Sequence, residues 1–526
     1  MQTRLNRDDS LQRLRERTQP WDLIVIGGGA TGVGTAMDAA NRGLQVLLLE
    51  RFDFGKGTSS RSTKLVHGGV RYLKQGNITL VRDALRERTL LKNNAPHLVH
   101  DTSFLIPCEN LWQWLFYGIG LKCYDLLAAG NNFGRSRLIS SATIRSLAPA
   151  MQCEGLRGAV LYHDGQFDDT RLLINMAQTA HQQGACLLNY MAVTGLSKND
   201  AGDVDGVSAI DDESGQVFQI RGKSVVNAAG PFCDDVRKFD DVNCEPMVAA
   251  SQGIHLVFPK EFFPGQTAMI VPKTSDGRVI FIIPWRDHAV VGTTDTAIPH
   301  ASFEPSAQED EIQFLLDTAG DYLTRPPKRS DVLSVFTGIR PLVKGDRSAR
   351  TASLSRDHVI RISDSKLITI TGGKWTTVRK MAEDCVDNVI QTAGLTAKPC
   401  GTKGLRIYGW SEPPEQPTPR SYYGSDQSEI AQLEQQSSQL AAPIHEQLDV
   451  HGSDVVWAVR NEMARTVEDV LARRTRSLFL NARASLEAAP KVAALMAAEL
   501  GTDSQWCDDQ LAALAETAAH YLPPQT

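Results

Sequence analysis

The stretch Asp22–Glu50, DLIVIGGGATGVGTAMDAANRGLQVLLLE, decides the fold. Leu23 to Ile26 is an unbroken apolar run, the pattern of a strand buried on both faces of a parallel sheet. Gly27, Gly29 and Gly32 then fall on G-x-G-x-x-G. Gly34 to Arg42 reads as a helix, Gln45 to Leu49 as a second apolar strand, and Glu50 ends it. Each position has a physical task. Gly27 permits the tight turn out of the strand, Gly29 lets the backbone approach a pyrophosphate, and Gly32 lets the helix pack closely on the strand. The helix N-terminus offers free N–H groups and the positive end of its dipole to phosphate. Glu50 is placed to accept hydrogen bonds from a ribose. The plain alternative, a glycine-rich turn that binds nothing, leaves Glu50 unexplained. A carboxylate at that point argues against a 2′-phosphate, and so against NADP. It does not separate NAD from FAD.

The chain has 526 residues, too many for one ordinary core, so two or three domains are expected. A net charge of −6 gives no reason to expect nucleic acid, and any positive site must be local. The nine cysteines are scattered without a C-x-x-C pair, which points to free thiols in a reducing compartment and to no metal. No apolar run reaches the roughly 18 residues that a membrane span requires. Residues 1–20 carry both charge signs and no apolar core, and read as a partly helical arm rather than a targeting segment.

After Glu50 the chain enters RFDFGKGTSSRSTKLVHGGVRYLKQGN, rich in hydroxyl and backbone donors suited to lining a polar cofactor. Ser59, Ser60, Lys64, His67, Gly68, Gly69, Arg71 and Tyr72 lie in it. An exposed charged loop is the ordinary reading of such a cluster; its place directly after the nucleotide unit favours a functional one. The fingerprint together with TSSRSTKLVHGGVRYL resembles the FAD-dependent glycerol-3-phosphate dehydrogenases, within the D-amino-acid-oxidase-like flavoproteins. The first motif alone would identify only a dinucleotide fold; K-L-x-H-G-G-x-R-Y-L is far more specific.

The rest of the chain is similar to that family over most of its length. Ile78 to Asn93 has helical apolar spacing. FLIPCENLWQWLFYGIGLKCYDLLAA (104–129) reads first as a buried helix; the sharper alternative is a surface that dips into a membrane interface, where Trp and Tyr favour the headgroup level. The acids Asp164, Asp168 and Asp169 lack His or Cys at ligand spacing and read as turn and helix-cap chemistry, ahead of a helix from Thr170 to Gln183. Lys223 to Gly230, KSVVNAAG, is an apolar strand whose small residues, with Asn227 and Gly230, let the backbone pass the nucleotide. Strands dominate from Cys244 to Pro299. His255 sits in one of them, where a satisfied core histidine is the common case; the resemblance places a His of this strand at the substrate. In SVFTGIRPLVKGD and ASLSRDHVI the resemblance implies a substrate-phosphate role for Arg340 and a second site arginine at Arg356. ITGGKWTTVRK repeats the strand–glycine–helix logic, with Gly372, Gly373, Lys374, Thr376 and Thr377 at a helix end that suits a reduced flavin. Beyond a Pro- and Gly-rich linker the chain reads helical: 429–440, 454–465, 467–478, 490–500 and 505–521. Arg473, Arg474 and Arg476 in this part read as solvent-facing, ahead of contact with substrate or anionic lipid.

The expected architecture is α/β plus α: a Rossmann-like FAD-binding domain (21–100, 150–240 and 355–395) interleaved with an antiparallel substrate domain (101–149 and 241–354). A linker (396–427) and a C-terminal helical cap (428–526) follow the arm and these two. The resemblance implies oxidation of glycerol 3-phosphate with FAD as cofactor, and a peripheral protein at the inner leaflet of the cytoplasmic membrane that passes electrons to quinone. An oxidase using O2 and a flavin-binding protein without turnover are the alternatives. Arg340 with Arg71 or Arg356 would hold substrate oxygens, His67 or His255 would take the proton, and Tyr72 would orient the substrate. A homo-oligomer is compatible with the chain.

Overall fold

The computed structural model describes residues 4–69, 78–128, 130–272, 274, 277–344, 358–414 and 418–524. The opening motif forms the strand–turn–helix that its sequence predicts. Strands β1 (Leu23–Ile26), β2 (Val46–Leu49), β7 (Cys186–Leu188), β11 (Val225–Asn227), β18 (His358–Ile362) and β19 (Ile368–Gly372) make one sheet in the order β18-β19-β11-β1-β2-β7. All pairs are parallel except the edge pair β18–β19. Successive side chains point to opposite faces, so one run feeds two cores. Leu23, Val25, Val46 and Leu48 pack under the helices Ala30–Asn41, Asp169–Gln182 and Val378–Ala393. Ile24, Ile26, Leu47 and Leu49 pack against the three-stranded meander β8 (Met191–Lys198), β9 (Val204–Asp211) and β10 (Val217–Arg221), and against Leu11 and Leu14 of the N-terminal helix Arg7–Glu16.

The second sheet has ten strands. β3 (Leu65–Val66), β4 (Val99–Cys108), β6 (Gly158–Phe167), β13 (Ala268–Val271), β14 (Ile280–Trp285), β15 (His288–Gly292), β12 (Val248–Pro259) and β16 (Thr296–Ala297) follow one another across it. β17 (Ser334–Val343) pairs with β12, and β5 (Arg137–Ile139) with β6. The expected domain limits differ from this at two points. β3 and β6 fall inside the 21–100 and 150–240 ranges assigned to the nucleotide domain, yet both belong to the large sheet. β6 is hydrogen-bonded to β4 along its whole length, from Val99↔Phe167 to Cys108↔Gly158. An apolar run specifies a buried strand; it does not say which sheet buries it.

The C-terminal region is helical apart from a hairpin, β20 (Pro443–His445) with β21 (Leu448–His451), that the sequence did not suggest. The helix expected to start at Pro490 runs from Ala482 to Leu500, because Asn481 caps it by accepting from the Ala484 N–H at 3.1 Å and Pro490 is carried inside. The segment expected as one helix over 467–478 is a π-helical turn, Asp469–Arg474, followed by Ser477–Leu480.

The expectation of a buried helix over 104–129 is overturned. Residues 99–108 are β4, and the helix Leu111–Leu127 lies on the surface with only Leu121 and Tyr124 buried. Trp112 is 74% exposed, Ile119 65% and Leu126 79%, with Leu111, Leu115 and Phe116 also exposed. Among the described residues no helix is long and apolar enough to cross a membrane.

Candidate active site

A single cavity of about 460 Å³ runs from the glycine fingerprint to the β12–β17 pair of the large sheet. At its nucleotide end the first glycines do steric work. Gly27 has φ +108°, and a Cβ there would stand 2.7 Å from the Ala228 carbonyl oxygen; one on Gly32 would stand 1.9 Å from the Gly27 oxygen. Gly29 is the N-cap of the helix Ala30–Asn41, and Ser59 Oγ accepts from the Ala30 N–H at 2.9 Å. Glu50 lines the cavity. Its two oxygens accept from the Gly28 N–H at 2.5 Å and the Phe52 N–H at 2.9 Å, and each keeps a further lone pair. Burial, opposed by those two bonds, pushes its pKa above the ordinary carboxylate value.

Gly230, Gly372, Gly373, Lys374 and Thr376 also line the cavity. Gly373 has φ +76°, and a Cβ there would meet Met381 Sδ at 2.4 Å. Thr376 Oγ1 accepts from the His67 N–H at 3.1 Å, so the segment before the helix Val378–Ala393 is tied to β3's exit, and His67 lines the cavity there.

Six of the residues expected at the cofactor stand behind the wall instead. Gly32 is a packing contact and Gly69, with φ +75°, shapes the chain after His67. The Asn227 side chain donates to the Cys233 carbonyl at 2.8 Å and accepts from the Ala229 N–H at 3.2 Å, so it builds the turn after β11. Thr377 donates to the Lys374 carbonyl at 3.3 Å. Ser60 is buried and donates to Gly57 O at 3.4 Å. Lys64 is fully buried; its ammonium donates to Asp169 at 2.7 Å, to Ser60 O at 2.9 Å and to Ser62 O at 3.0 Å. Burial holds its pKa down to about 8, against the opposing pull of Asp169. A buried charge must be paired, and Lys64 spends its donors on that.

At the other end, β12 and β17 pair so that Ser251 opposes Arg340 and His255 opposes Phe336. Arg340 and His255 line the cavity. The Arg340 guanidinium donates to Asp295 at 3.2 Å, Gln252 O at 3.3 Å, Thr293 Oγ1 at 3.1 Å and Thr294 O at 2.9 Å. His255 is buried, and desolvation with the nearby cations Lys64 and Arg340 holds its pKa well below the ordinary imidazole value. Arg71, Tyr72 and Arg356 lie outside the described residues.

The arginines expected in solvent are not there. Arg473, Arg474 and Arg476 are buried. Arg473 pairs with Asp53, Glu468 and Asp469, each at 2.5 Å, and Arg474 holds both Asp53 oxygens at 2.6 and 2.9 Å. Burial alone would raise the Asp53 carboxyl; Arg474 and Arg473 outweigh it and keep it below the usual range. Arg476 donates to Ser60 O at 2.7 Å and to Asp169 at 3.3 Å. The loop that lines the cavity from residue 51 to 63 is thus clamped from behind by the C-terminal region. Lys56 and Arg61, which line the cavity on this loop, share Glu304 at 2.9 and 2.8 Å. None of these acids carried a sequence signal, because an isolated Asp does not announce a partner hundreds of residues away. Asp168 does cap its helix, accepting from the Arg171 N–H at 3.0 Å, as expected; Asp164 and Asp169 instead pair with Arg88 and Lys64.

The residues present suit FAD. Gly27 and Gly32 leave no room for a side chain, a helix N-terminus opens on the cavity, and Glu50 is a fixed acceptor. Gly29, Ser59 and Thr31 would hold the phosphates, Glu50 the ribose, and Gly372 to Thr376 the flavin end.

Comparison with known proteins agrees. The family described as FAD dependent oxidoreductase matches residues 22–379, and the C-terminal domain of alpha-glycerophosphate oxidase matches residues 366–507. The mitochondrial glycerol-3-phosphate dehydrogenase of Mus musculus is 40% identical over 559 residues, covering 98% of this chain and 75% of that one. The mitochondrial glycerol-3-phosphate dehydrogenase of Arabidopsis thaliana is 40% identical over 527 residues, covering 92% and 83%. The structure of glycerol-3-phosphate dehydrogenase from Bacillus halodurans, complexed with FAD, superposes with a TM-score of 0.80 at 30% identity, over 99% of this chain and 98% of that one. The chain belongs to the FAD-dependent glycerol-3-phosphate dehydrogenase family.

Proposed function

We propose that this protein oxidises sn-glycerol 3-phosphate to dihydroxyacetone phosphate and passes the electrons to a membrane quinone. The observation that carries this reading is one continuous cavity joining a dinucleotide cradle to Arg340 and His255. Bound FAD supplies the hydride acceptor. Arg340 takes the substrate phosphate as a fixed cation; Asp295, Thr293, Gln252 O and Thr294 O set the plane of its guanidinium. His255 is the proton acceptor, since burial, Lys64 and Arg340 keep its imidazole neutral and able to accept. Lys374, at the end of the segment leading into Val378–Ala393, places a cation where negative charge develops. His67 forms the wall beside Thr376. The resemblance implies that Arg71, Tyr72 and Arg356, which lie outside the described residues, also serve the substrate.

The quinone acceptor is supported by the surface helix Leu111–Leu127. Its apolar face is exposed, and Lys122, Arg135 and Arg137 are exposed beside it. An amphipathic helix of this kind, with Trp and Phe on one side and cations at its edge, suits the inner leaflet of the cytoplasmic membrane, where quinone is dissolved. Electron transfer to O2 is the second reading, favoured by the alpha-glycerophosphate oxidase domain that matches residues 366–507.

The test is anaerobic addition of glycerol 3-phosphate to the FAD-loaded protein while flavin absorbance is followed. Bleaching that a quinone analogue reverses quickly and air reverses slowly supports the dehydrogenase. Fast reversal in air with peroxide formed selects the oxidase. No bleaching rejects the substrate and leaves a flavin-binding protein without turnover.

A further inference from the structure

The imidazole of His255 is fixed on both sides by its sheet neighbours. Phe336 of β17 stacks on it, with ring centroids 4.6 Å apart and planes 11° apart. On the β15 side is Gly292, where a Cβ would come within 2.2 Å of the His255 ring. Nδ1 is buried and has no hydrogen-bond partner among the described residues. Nε2 faces the Thr63 hydroxyl at 2.9 Å. Only 2% of His255 is exposed, whereas Thr63 is half-buried and lines the cavity with it. Thr63 is thus the more accessible of the two hydrogen-bonded groups to a hydroxyl in the cavity.

The loop that presents Thr63 is held firmly. The Ser62 hydroxyl donates to Asp169 at 2.7 Å, and the Lys64 ammonium ties Ser60 O, Ser62 O and Asp169 together. Arg476 adds a bond to Ser60 O from the C-terminal region. Lys64 itself has φ +63°, which turns the chain sharply just after Thr63.

We propose that Thr63 is a catalytic residue whose hydroxyl relays the substrate proton to His255; this rests on the assignment of His255 as proton acceptor. The substrate O–H bond breaks and its proton passes to Thr63 Oγ1. The proton already on Oγ1 passes to His255 Nε2, leaving threonine unchanged and the imidazole protonated. The C2–H bond pair leaves with its hydrogen as hydride for FAD, and C2 becomes a carbonyl carbon. The charged groups acting on His255 are both cationic: Lys64 from the Thr63 loop and Arg340 from β17. Substrate phosphate on Arg340 offsets one of them as the proton arrives, so the acceptor is strengthened only when substrate is bound.

The experiment is anaerobic rapid-mixing of glycerol 3-phosphate with FAD-loaded parent, Thr63→Val, Thr63→Ser and His255→Asn proteins, reading the limiting rate of flavin bleaching and the half-saturating substrate concentration. Val keeps the shape of Thr and removes only the hydroxyl; Thr63→Ala serves if Thr63→Val does not retain FAD. The expected result is a limiting rate lowered about 100-fold in Thr63→Val, recovered to within about fivefold in Thr63→Ser, with half-saturation moved less than about threefold. A fall of less than about tenfold in Thr63→Val while His255→Asn is slow overturns the relay and leaves the acceptor in place. Equal losses in Thr63→Val and Thr63→Ser also overturn it, as does a change confined to half-saturation. Parent-like bleaching in His255→Asn rejects the acceptor assignment and the relay with it.

Discussion

Replacing Arg340 by Lys separates its geometry from its charge. Among the described residues the guanidinium donates to Asp295, Gln252 O, Thr293 and Thr294 O, and these set its plane. An ammonium keeps the charge but has three donors and no plane, so it cannot reproduce that four-bond frame and hold the cation at the same point facing the phosphate. Losing one charge-assisted bond costs about 1.5–3 kcal/mol, which is roughly 10- to 150-fold in the specificity constant. The charge has a separate consequence. Arg340 is one of two cations that depress the His255 pKa. A depressed pKa keeps the imidazole neutral to lower pH, so flavin reduction is lost only as pH falls through a value well under the ordinary 6.5 or so. Arg340→Lys should leave that acid limb where it is while lowering the whole profile. Arg340→Met should lower the profile and also move the limb to higher pH, because one opposing charge is gone. The assay is the apparent second-order rate of anaerobic flavin bleaching by glycerol 3-phosphate, from pH 5 to 8. Parent-like rates in Arg340→Lys, or limbs that coincide in the Lys and Met variants, would refute the assignment.

Other changes reach other parts of the molecule. Gly32→Ala sets a Cβ against the Gly27 carbonyl and should yield protein without FAD, read from the ratio of absorbance at 450 to 280 nm after purification. Asp53→Asn removes the buried acid that Arg473 and Arg474 share, and should cost about 3–5 kcal/mol, seen as a lowered denaturant midpoint. His97 is buried neutral with its pKa held down to about 4 by desolvation. The unfolded chain takes up this proton near 6.5 and the folded chain does not, so stability falls by about 3 kcal/mol as pH drops from 6.5 to 4; His97→Asn should flatten that part of the stability–pH curve. Trp112→Glu with Leu126→Glu should abolish sedimentation with anionic lipid vesicles while leaving bleaching by glycerol 3-phosphate intact; undiminished sedimentation would remove the helix Leu111–Leu127 from the membrane.

How much of this was legible in the sequence depended on how local the physics is. The glycines of the fingerprint and of Gly372–Gly373 answer to steric demands a few residues away, so their spacing alone placed them. Ser60 and Lys64 were visible as polar residues beside the cofactor, but a lysine that binds a ligand and one that binds three oxygens of its own protein have the same letter. The helix Leu111–Leu127 has the composition of a core helix, and composition cannot say whether apolar side chains face protein or lipid. β6 carried Asp164, which read as turn chemistry rather than as part of a strand, and its pairing with β4 is fixed by tertiary structure. Arg473, Arg474 and Arg476 were misplaced for the same reason: three cations in a short run are ordinarily solvated, and what buries them here are Asp53 and Asp169, supplied by a distant part of the chain.

That distance bears on how the protein is made. Arg474 and Asp53 are 421 residues apart, and β19 joins the nucleotide sheet on β11, a strand translated far earlier. At about 5–20 residues per second, some 20 to 80 seconds of synthesis separate the two ends of the clamp. Throughout that time the ribosome holds a nascent chain whose glycine turn is complete and whose cavity-lining loop, residues 51–63, has no clamp behind it. The loop beside the nucleotide cradle is thereby fixed only at the close of translation, after every strand of both sheets has been made.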